Sequence, residues 1–346
     1  MIGRSPRLGV VLVNWNGWAD TIECLETVLR STIPLRVVVV DNASTDGSPD
    51  RIADWAAGTL RAVAASAAQA HFSVPALSKP IAFRRLTAAE AESTVPDDAT
   101  VTLVDSGGNL GFAGGNNIGL RFLQRNAAVD YYWLLNNDTV VQPGAAGALL
   151  ARMDASHNVG MCGTVVRYYY RPAVVQALNG SRFSVLSGQS RGIGEGQSAS
   201  IPFDAAEVAR ETDFVLGASL AVSRNFLKQV GPMAEEYFLY YEEIDWAYRN
   251  AGRFATAFAH GAIVYHKEGG SIGSSAAKGQ RSAVSDHYLL RSRLRFIRRH
   301  APALLPLHWV LAFGQIARRL LRLQPKKALV LLRALLGLRR GKVSRG

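Results

Sequence analysis

Several apolar runs in this chain stop abruptly at clusters of amides, carboxylates and hydroxyls, and that repeat narrows the possible folds more than any other feature. Residues 8–14, LGVVLVN, run into WNG. Residues 35–40, LRVVVV, run into DNASTDGS. Residues 101–104, VTLV, meet DSGGN, and DYYWLLNN meets DTV at 138–140. Apolar runs of this kind, with little polar alternation, read as strands buried on both faces, as in parallel sheets. Between the first two, Ile22, Leu25, Val28 and Leu29 recur at helical spacing over 19–31. Strand, helix, strand is a βαβ unit with a right-handed crossover. Asp46-Gly47-Ser48-Pro49 opens another helix, with Ile52 and Trp55 facing inward. PGAAGALLARM and GMCGTVVRYY add a helix and a strand. The expected class is α/β: a doubly wound, mostly parallel, Rossmann-like sheet with helices on both faces. Ligands bind such sheets beyond the carboxyl ends of the strands, where the polar clusters NWNG, DNAS and NNDT fall.

The remaining segments are less regular. Residues 57–100 are Ala-rich and weakly periodic, and 58–100 reads as a variable insertion, partly helical. DSGGNLGFAGGNNIGLRFL reads as a Gly/Asn loop running into a helix. Residues 180–210 read as a loop or short antiparallel hairpin, and 213–223 as strand, turn and strand. RNFLKQVG reads as helical. EEYFLYYEEIDWAYRNAG begins irregularly and becomes a helix capped by Gly252. FATAFAHGAIVYHKEGGSIG reads as a strand, a turn and a Gly-rich loop holding His266.

The net charge of +12 is unevenly placed. Residues 287–346 hold 15 Lys or Arg and no Asp or Glu, so the rest of the chain has a net charge of −3. Nucleic-acid proteins carry such charge on a folded recognition face; here it is interleaved with Leu, Ile, Phe and Trp, and no nucleic-acid partner is expected. The mixture predicts a basic amphipathic helical tail over 286–346, lying on an anionic membrane surface; the alternative is a helical hairpin packed on the main domain with a solvated basic face. APALLPLHWVLAFGQIA is short for a span and interrupted by Pro302 and Pro306. The two cysteines, Cys24 and Cys162, form no CxxC pair, which argues for a reducing compartment. The N-terminus shows no secretory leader pattern. A cytoplasmic protein, peripheral on the inner face of the cell membrane, is the expectation.

Several residues could carry chemistry. Asp41 ends a buried strand, and either accepts amides from the following NAS or recognises a nucleoside. The glycines of GGNLGFAGGNNIG allow close backbone approach to a ligand or simply make a tight turn; Asn109 and Asn117 bond a nucleotide or fix the loop. No GxGxxG follows the first strand, and no P-loop pattern occurs. Asp138 suits a Mg or Mn divalent cation shared with a diphosphate. Glu242, Glu243 and Asp245 open a helix, where they either cap its dipole or supply a general base. His266, at a strand end, is a candidate ligand.

In this order, VVLVNWNG, VVVVDNASTDGS, GGNLGFAGGNNIG, YYWLLNNDTVV, FVLGASLAVSR, YFLYYEEIDWAYRNAG and AIVYHKEGGSIG resemble glycosyltransferase family 2, inverting enzymes of GT-A fold, and within it the rhamnosyltransferase-like subgroup. The resemblance spans residue 8 to about 275. It implies a GT-A domain over 1–285, with a nucleotide-sugar half at 1–150 and an acceptor half at 151–285. It implies a UDP-, dTDP- or GDP-sugar donor and a glycan or lipid-linked acceptor in bacterial cell-surface polysaccharide synthesis. Val13, Asn14 and Trp15 would line the base pocket, and Asp41 would contact the nucleoside. Asn109, Gly111 and Asn117 would border the nucleotide. Asn136 and Asn137 would lie beside it, and Asp138 would hold the metal and diphosphate. His266 would complete the metal shell. Glu243 would be the general base, with Asp245 as the fallback. Two departures stand out. Asn136-Asn137-Asp138 stands where the family has an Asp-x-Asp or Asn-Pro-Asp element, and Asn136 rather than Asp at its first position implies a weaker cation site. Glu243 replaces an aspartate, which moves the carboxylate out by one methylene. The competing readings are a nucleotidyltransferase, whose expected basic Gly-rich loop is missing from NWNGWADT, and a catalytically inactive membrane-attached scaffold.

Overall fold

The computed structural model describes residues 6–268 and 282–338. Residues 269–273 of the expected Gly-rich loop, and 339–346 of the expected tail, lie outside the described residues. The strands are β1 (Leu8–Asn14), β2 (Leu35–Asp41), β3 (Phe83–Thr87), β4 (Val101–Asp105), β5 (Tyr131–Asn136), β6 (Thr139–Val141), β7 (Val159–Tyr168), β8 (Arg171–Leu178), β9 (Gly180–Ser184), β10 (Gln189–Gly192), β11 (Phe214–Val215), β12 (Ser219–Ser223) and β13 (Ala255–His266). The helices are α1 (Trp18–Val28), α2 (Ser48–Ala57), α3 (Ala88–Ser93), α4 (Gly111–Gln124), α5 (Ala145–Asp154), α6 (Ala205–Glu211), α7 (Arg224–Val230), α8 (Glu242–Asn250), α9 (Ala283–His300), α10 (Leu305–Leu321) and α11 (Pro325–Leu335).

The main sheet runs in the order β3-β4-β2-β1-β5-β12-β7-β13-β6, with β8 on β7. Its first five strands are parallel. β12 then runs antiparallel between β5 and β7. β9, β10 and β11 form a small separate sheet. Alternate residues of each central strand enter opposite cores, as the period of two requires. Val10, Leu12, Val37, Val39 and Trp133 pack with Ile22, Leu25 and Trp55 on one face. Val11, Val38, Val40, Tyr132 and Leu134 pack with Phe122 and Leu123 on the other. Burial on both faces is why these strands read as continuous apolar runs.

Register places the strand ends side by side. Asn14 pairs with Asp41, Asp41 with Asp105, and Val13 with Asn136. The polar clusters therefore share one edge of the sheet.

Three local expectations need correction. Segment 58–100, expected as a variable insertion with partial helix, also supplies a strand: β3 is the edge strand of the main sheet, followed by α3 with a Thr87–Glu90 capping box. The Gly/Asn stretch is already helical at Gly111. A Cβ on Gly115 would stand 2.8 Å from a Val13 methyl, and one on Gly119 2.5 Å from Val11, so the missing side chains let α4 lie close on β1. β13 has no turn at His260-Gly261; its register with β7 shifts between Ala259 and Ile263, a bulge within one strand.

Candidate active site

The loops after β1 and β2 are tied together by a buried polar network. Asn14 Nδ2 donates to Asp41 Oδ1 (2.7 Å) and to Ser44 Oγ (3.1 Å). The Ser44 amide donates to Asp41 Oδ2 at 2.9 Å, the turn that the DNAS cluster allows. Asn137 Nδ2 donates to Asn14 Oδ1 (3.3 Å) and Thr21 Oγ1 (2.9 Å), so the loop after β5 joins the same network. Trp15 and Val13 are half-buried at its margin. Asn42, beside Asp41, donates to Gly111 O at 2.9 Å, while its own buried Oδ1 has no partner among the described residues. Sequence reasoning missed Thr21 and Asn42; Ser44 was visible only within its turn motif.

Asp138 and His266 meet at the next strand end. His266 Nε2 lies 3.1 Å from Asp138 Oδ1 and 3.2 Å from Asn136 Nδ2. Its Nδ1 faces Gln176 Oε1 at 3.0 Å, an orienting partner that no sequence signal marked. Burial opposes ionisation of Asp138, but His266 and then Lys267 outweigh it and hold the carboxyl below its usual value. Burial likewise lowers His266, and the Asp138 carboxylate more than restores it, so the imidazole sits above its usual value. Lys267 is itself held by Asp20 (2.5 Å) and Glu23 (2.6 Å).

One carboxylate and one imidazole with an orienting amide are a donor set for a divalent cation. Among the described residues no group of three or more His, Cys, Asp or Glu side chains could hold one. The pair therefore fits a cation that completes its shell with phosphate oxygens, and does not fit one caged by protein alone.

The third element is α8. Tyr240 and Tyr241 both adopt left-handed backbone, φ 66° and 74°, and so turn the chain directly into Glu242 and Glu243. Non-glycine residues in this region are strained and persist only where packing enforces them. Glu242 is buried, its Oε2 has no partner among the described residues, and burial first, then the neighbouring Glu243, drive its carboxyl well above the usual value. Burial raises the Glu243 carboxyl to about 7. That carboxylate lies near Gly217 and Phe112: a Cβ on Gly217 would be 3.8 Å from Glu243 Oε1 and 3.7 Å from the Phe112 ring. Gly217 precedes Ala218, whose carbonyl accepts the Asn136 amide at 3.0 Å. Glu243 is thus brought beside the segment that pairs with the end of β5.

Other expected site residues are engaged in holding the structure. Asp245 is fully buried, and its oxygens meet Arg249 Nε (2.7 Å) and His300 Nε2 (2.7 Å). Asn117 bonds Met233 O (2.9 Å), Met233 N (3.0 Å) and Glu235 (2.8 Å), fixing the segment before α8. Asn109 Oδ1 accepts the Gly111 amide at 3.0 Å. Gly111 itself has φ +72°, and a Cβ there would collide with Phe238 O. Gly111→Ala is expected to cost at least about 1–3 kcal/mol from its backbone alone, read as a lower urea midpoint with unchanged slope.

The architecture is that of the GT-A glycosyltransferases, α/β with a mixed, mostly parallel sheet. A mannosyltransferase from Pyrobaculum calidifontis, solved with GDP-Man and Mn2+, superposes with TM-score 0.52 at 15% identity, over 96% of this chain and 86% of that one. GalNAc-T7, solved with UDP, GalNAc and Mn2+, superposes with TM-score 0.54 at 12% identity; the match takes in 85% of this chain and 48% of that one, so this chain spans about half its length. No family model and no curated protein matches by sequence.

Proposed function

We propose that this chain is an inverting glycosyltransferase of family 2, rhamnosyltransferase-like, that moves a sugar from a nucleoside-diphosphate donor to a hydroxyl of a glycan or lipid-linked acceptor in bacterial polysaccharide synthesis. The observation that carries this reading is the half-buried Glu243 carboxylate, raised to about 7 and set against Gly217 beside the strand end bearing Asp138. Support comes from the GT-A fold, the order of the seven motifs, and the two solved neighbours, whose complexes contain GDP-Man, or UDP with GalNAc, and Mn2+.

In this mechanism Asn14, Trp15 and the Asp41 turn border the nucleoside. Asp138 and His266 would hold a divalent cation together with the diphosphate. When bound, such a cation would neutralise charge that gathers on the leaving group. The imidazole nitrogen in the donor set favours Mn2+ over Mg2+, which prefers all-oxygen shells. Glu243 takes the proton of the acceptor hydroxyl. The acceptor oxygen bonds the anomeric carbon as the bond from that carbon to the phosphate oxygen breaks, and the nucleoside diphosphate departs with the bonding pair. One displacement inverts the centre, and no enzyme nucleophile is used. Asp245, tied to Arg249 and His300, acts as a brace for α8.

The test is a screen of UDP-, dTDP- and GDP-sugars with purified protein and Mn2+, reading nucleotide binding and nucleoside diphosphate release. Saturable binding and turnover of one donor class is expected. Neither binding nor turnover of any of them would sink the proposal.

A further inference from the structure

The C-terminal helices divide into two parts. α9 packs on the main domain: Phe296 and Ile297 are buried with Tyr237, Tyr241 and Ile244. α10 and α11 pack on α9 and on each other through Leu290, Ala312, Leu331, Ala334 and Leu335. Among the described residues nothing covers their outer faces, which are apolar. On α10, Leu307, Val310, Phe313 and Leu321 lie along one face, with Ala317 between the last two, and the four large side chains are 40%, 67%, 53% and 85% exposed. On α11, Leu329 and Leu332, with Leu336 just past its end, repeat the pattern. The turn between the helices carries Leu323, 88% exposed. Singly exposed leucines are ordinary, but a contiguous apolar face of this length marks an interaction surface.

Charge decides the partner. Arg318, Arg322, Lys326 and Arg333 surround this face, all exposed, and none forms an ion pair among the described residues. The sequence from 287 to 346 offers no acidic side chain at all. A second copy of this chain would bring the same unpaired cations against them. An anionic lipid surface answers both features: acyl chains receive the leucines and phenylalanine, and headgroup phosphates receive the guanidinium and ammonium groups. Among the described residues no helix is long and apolar enough to cross a membrane.

We propose that α10, α11 and the Leu321–Leu323 turn form a surface that docks in the headgroup region of an anionic bilayer, with the turn as its most deeply inserted point. This rests on the helical surface alone and stands or falls separately from sugar transfer.

The experiment is sedimentation of the full chain with vesicles of equal phosphatidylglycerol and phosphatidylcholine, and with phosphatidylcholine alone. Binding to the anionic vesicles, weakened by salt, is expected. L321D with L323D together should lower it by about tenfold or more, with an unchanged thermal transition, since both side chains are in solvent and Asp tolerates the left-handed backbone of Leu323 (φ 55°). R318Q with R322Q should remove much of the preference for phosphatidylglycerol. The proposal is overturned if the unaltered chain stays in the supernatant, if it binds pure phosphatidylcholine equally, or if L321D with L323D binds as before. A dimer dispersed by those two substitutions, without vesicle binding, would instead assign the face to a second copy.

Discussion

Glu243→Gln is expected to lower the turnover of sugar transfer by about 10²–10⁴-fold, with donor affinity nearly unchanged. Glutamine keeps the shape of the side chain and loses only the capacity to accept the acceptor's proton. The pH profile of the unaltered chain should carry the same signature. The Glu243 carboxyl is raised to about 7, so below that pH it is protonated and idle, and above it the base is ready. Turnover should therefore climb with pH, reach half its plateau near this value, and lose that step in Glu243→Gln. Asp245→Asn should behave differently. It removes the carboxylate that half-buried Arg249 and His300 share as a hydrogen-bond partner, so its main effect is a lower melting temperature. A folded Asp245→Asn variant without turnover, beside an active Glu243→Gln, would transfer the base role to Asp245.

Asp138→Ala is the second large effect. Loss of this carboxylate should lower kcat/KM by about 10³-fold, equivalent to roughly 4 kcal/mol of stabilisation at the leaving group. Calorimetric titration with Mn2+ and nucleoside diphosphate should show the metal dependence of nucleotide binding largely gone. Gln176→Ala, which frees the far side of His266, should cost less, about 10–100-fold in metal affinity. Wild-type nucleotide affinity and unchanged metal dependence in Asp138→Ala would exclude this aspartate as the anchor of the diphosphate.

The legible part of this molecule is the part whose physics is local. The runs at 8–14, 35–40 and 131–135 are short, rich in β-branched, aromatic and leucine side chains and closed by polar turns, which marks buried strands, and as parallel neighbours they bring their polar ends to one edge. β3 escaped because its inner residues are few: FRRLT is an edge strand whose Arg85 bonds Asp50 and Asp105 instead of entering a core. The glycines of α4 misled because their purpose is close helix–strand packing, which depends on Val11 and Val13 more than a hundred residues away in the chain. Site residues followed the same division. Asp138 and Glu243 announce themselves by charge in apolar surroundings. Gln176 and Gly217 matter only through what the fold lays beside them, and Asn117 and Asp245 carry polar groups whose partners are set by tertiary contacts.

The attachment of α9 has a practical consequence for anyone shortening this chain. Ser292 donates to Leu239 O at 3.0 Å, Tyr240 bonds Ser285 at 3.1 Å, and His300 reaches Asp245, so α9 splints the left-handed pair of tyrosines that aims Glu243. Trimming the sticky C-terminal end is the obvious way to obtain a well-behaved catalytic fragment. A stop codon placed before α9 would also remove the splint, and the fragment's inactivity would then say nothing about lipid. A cut made beyond His300 keeps the two effects apart.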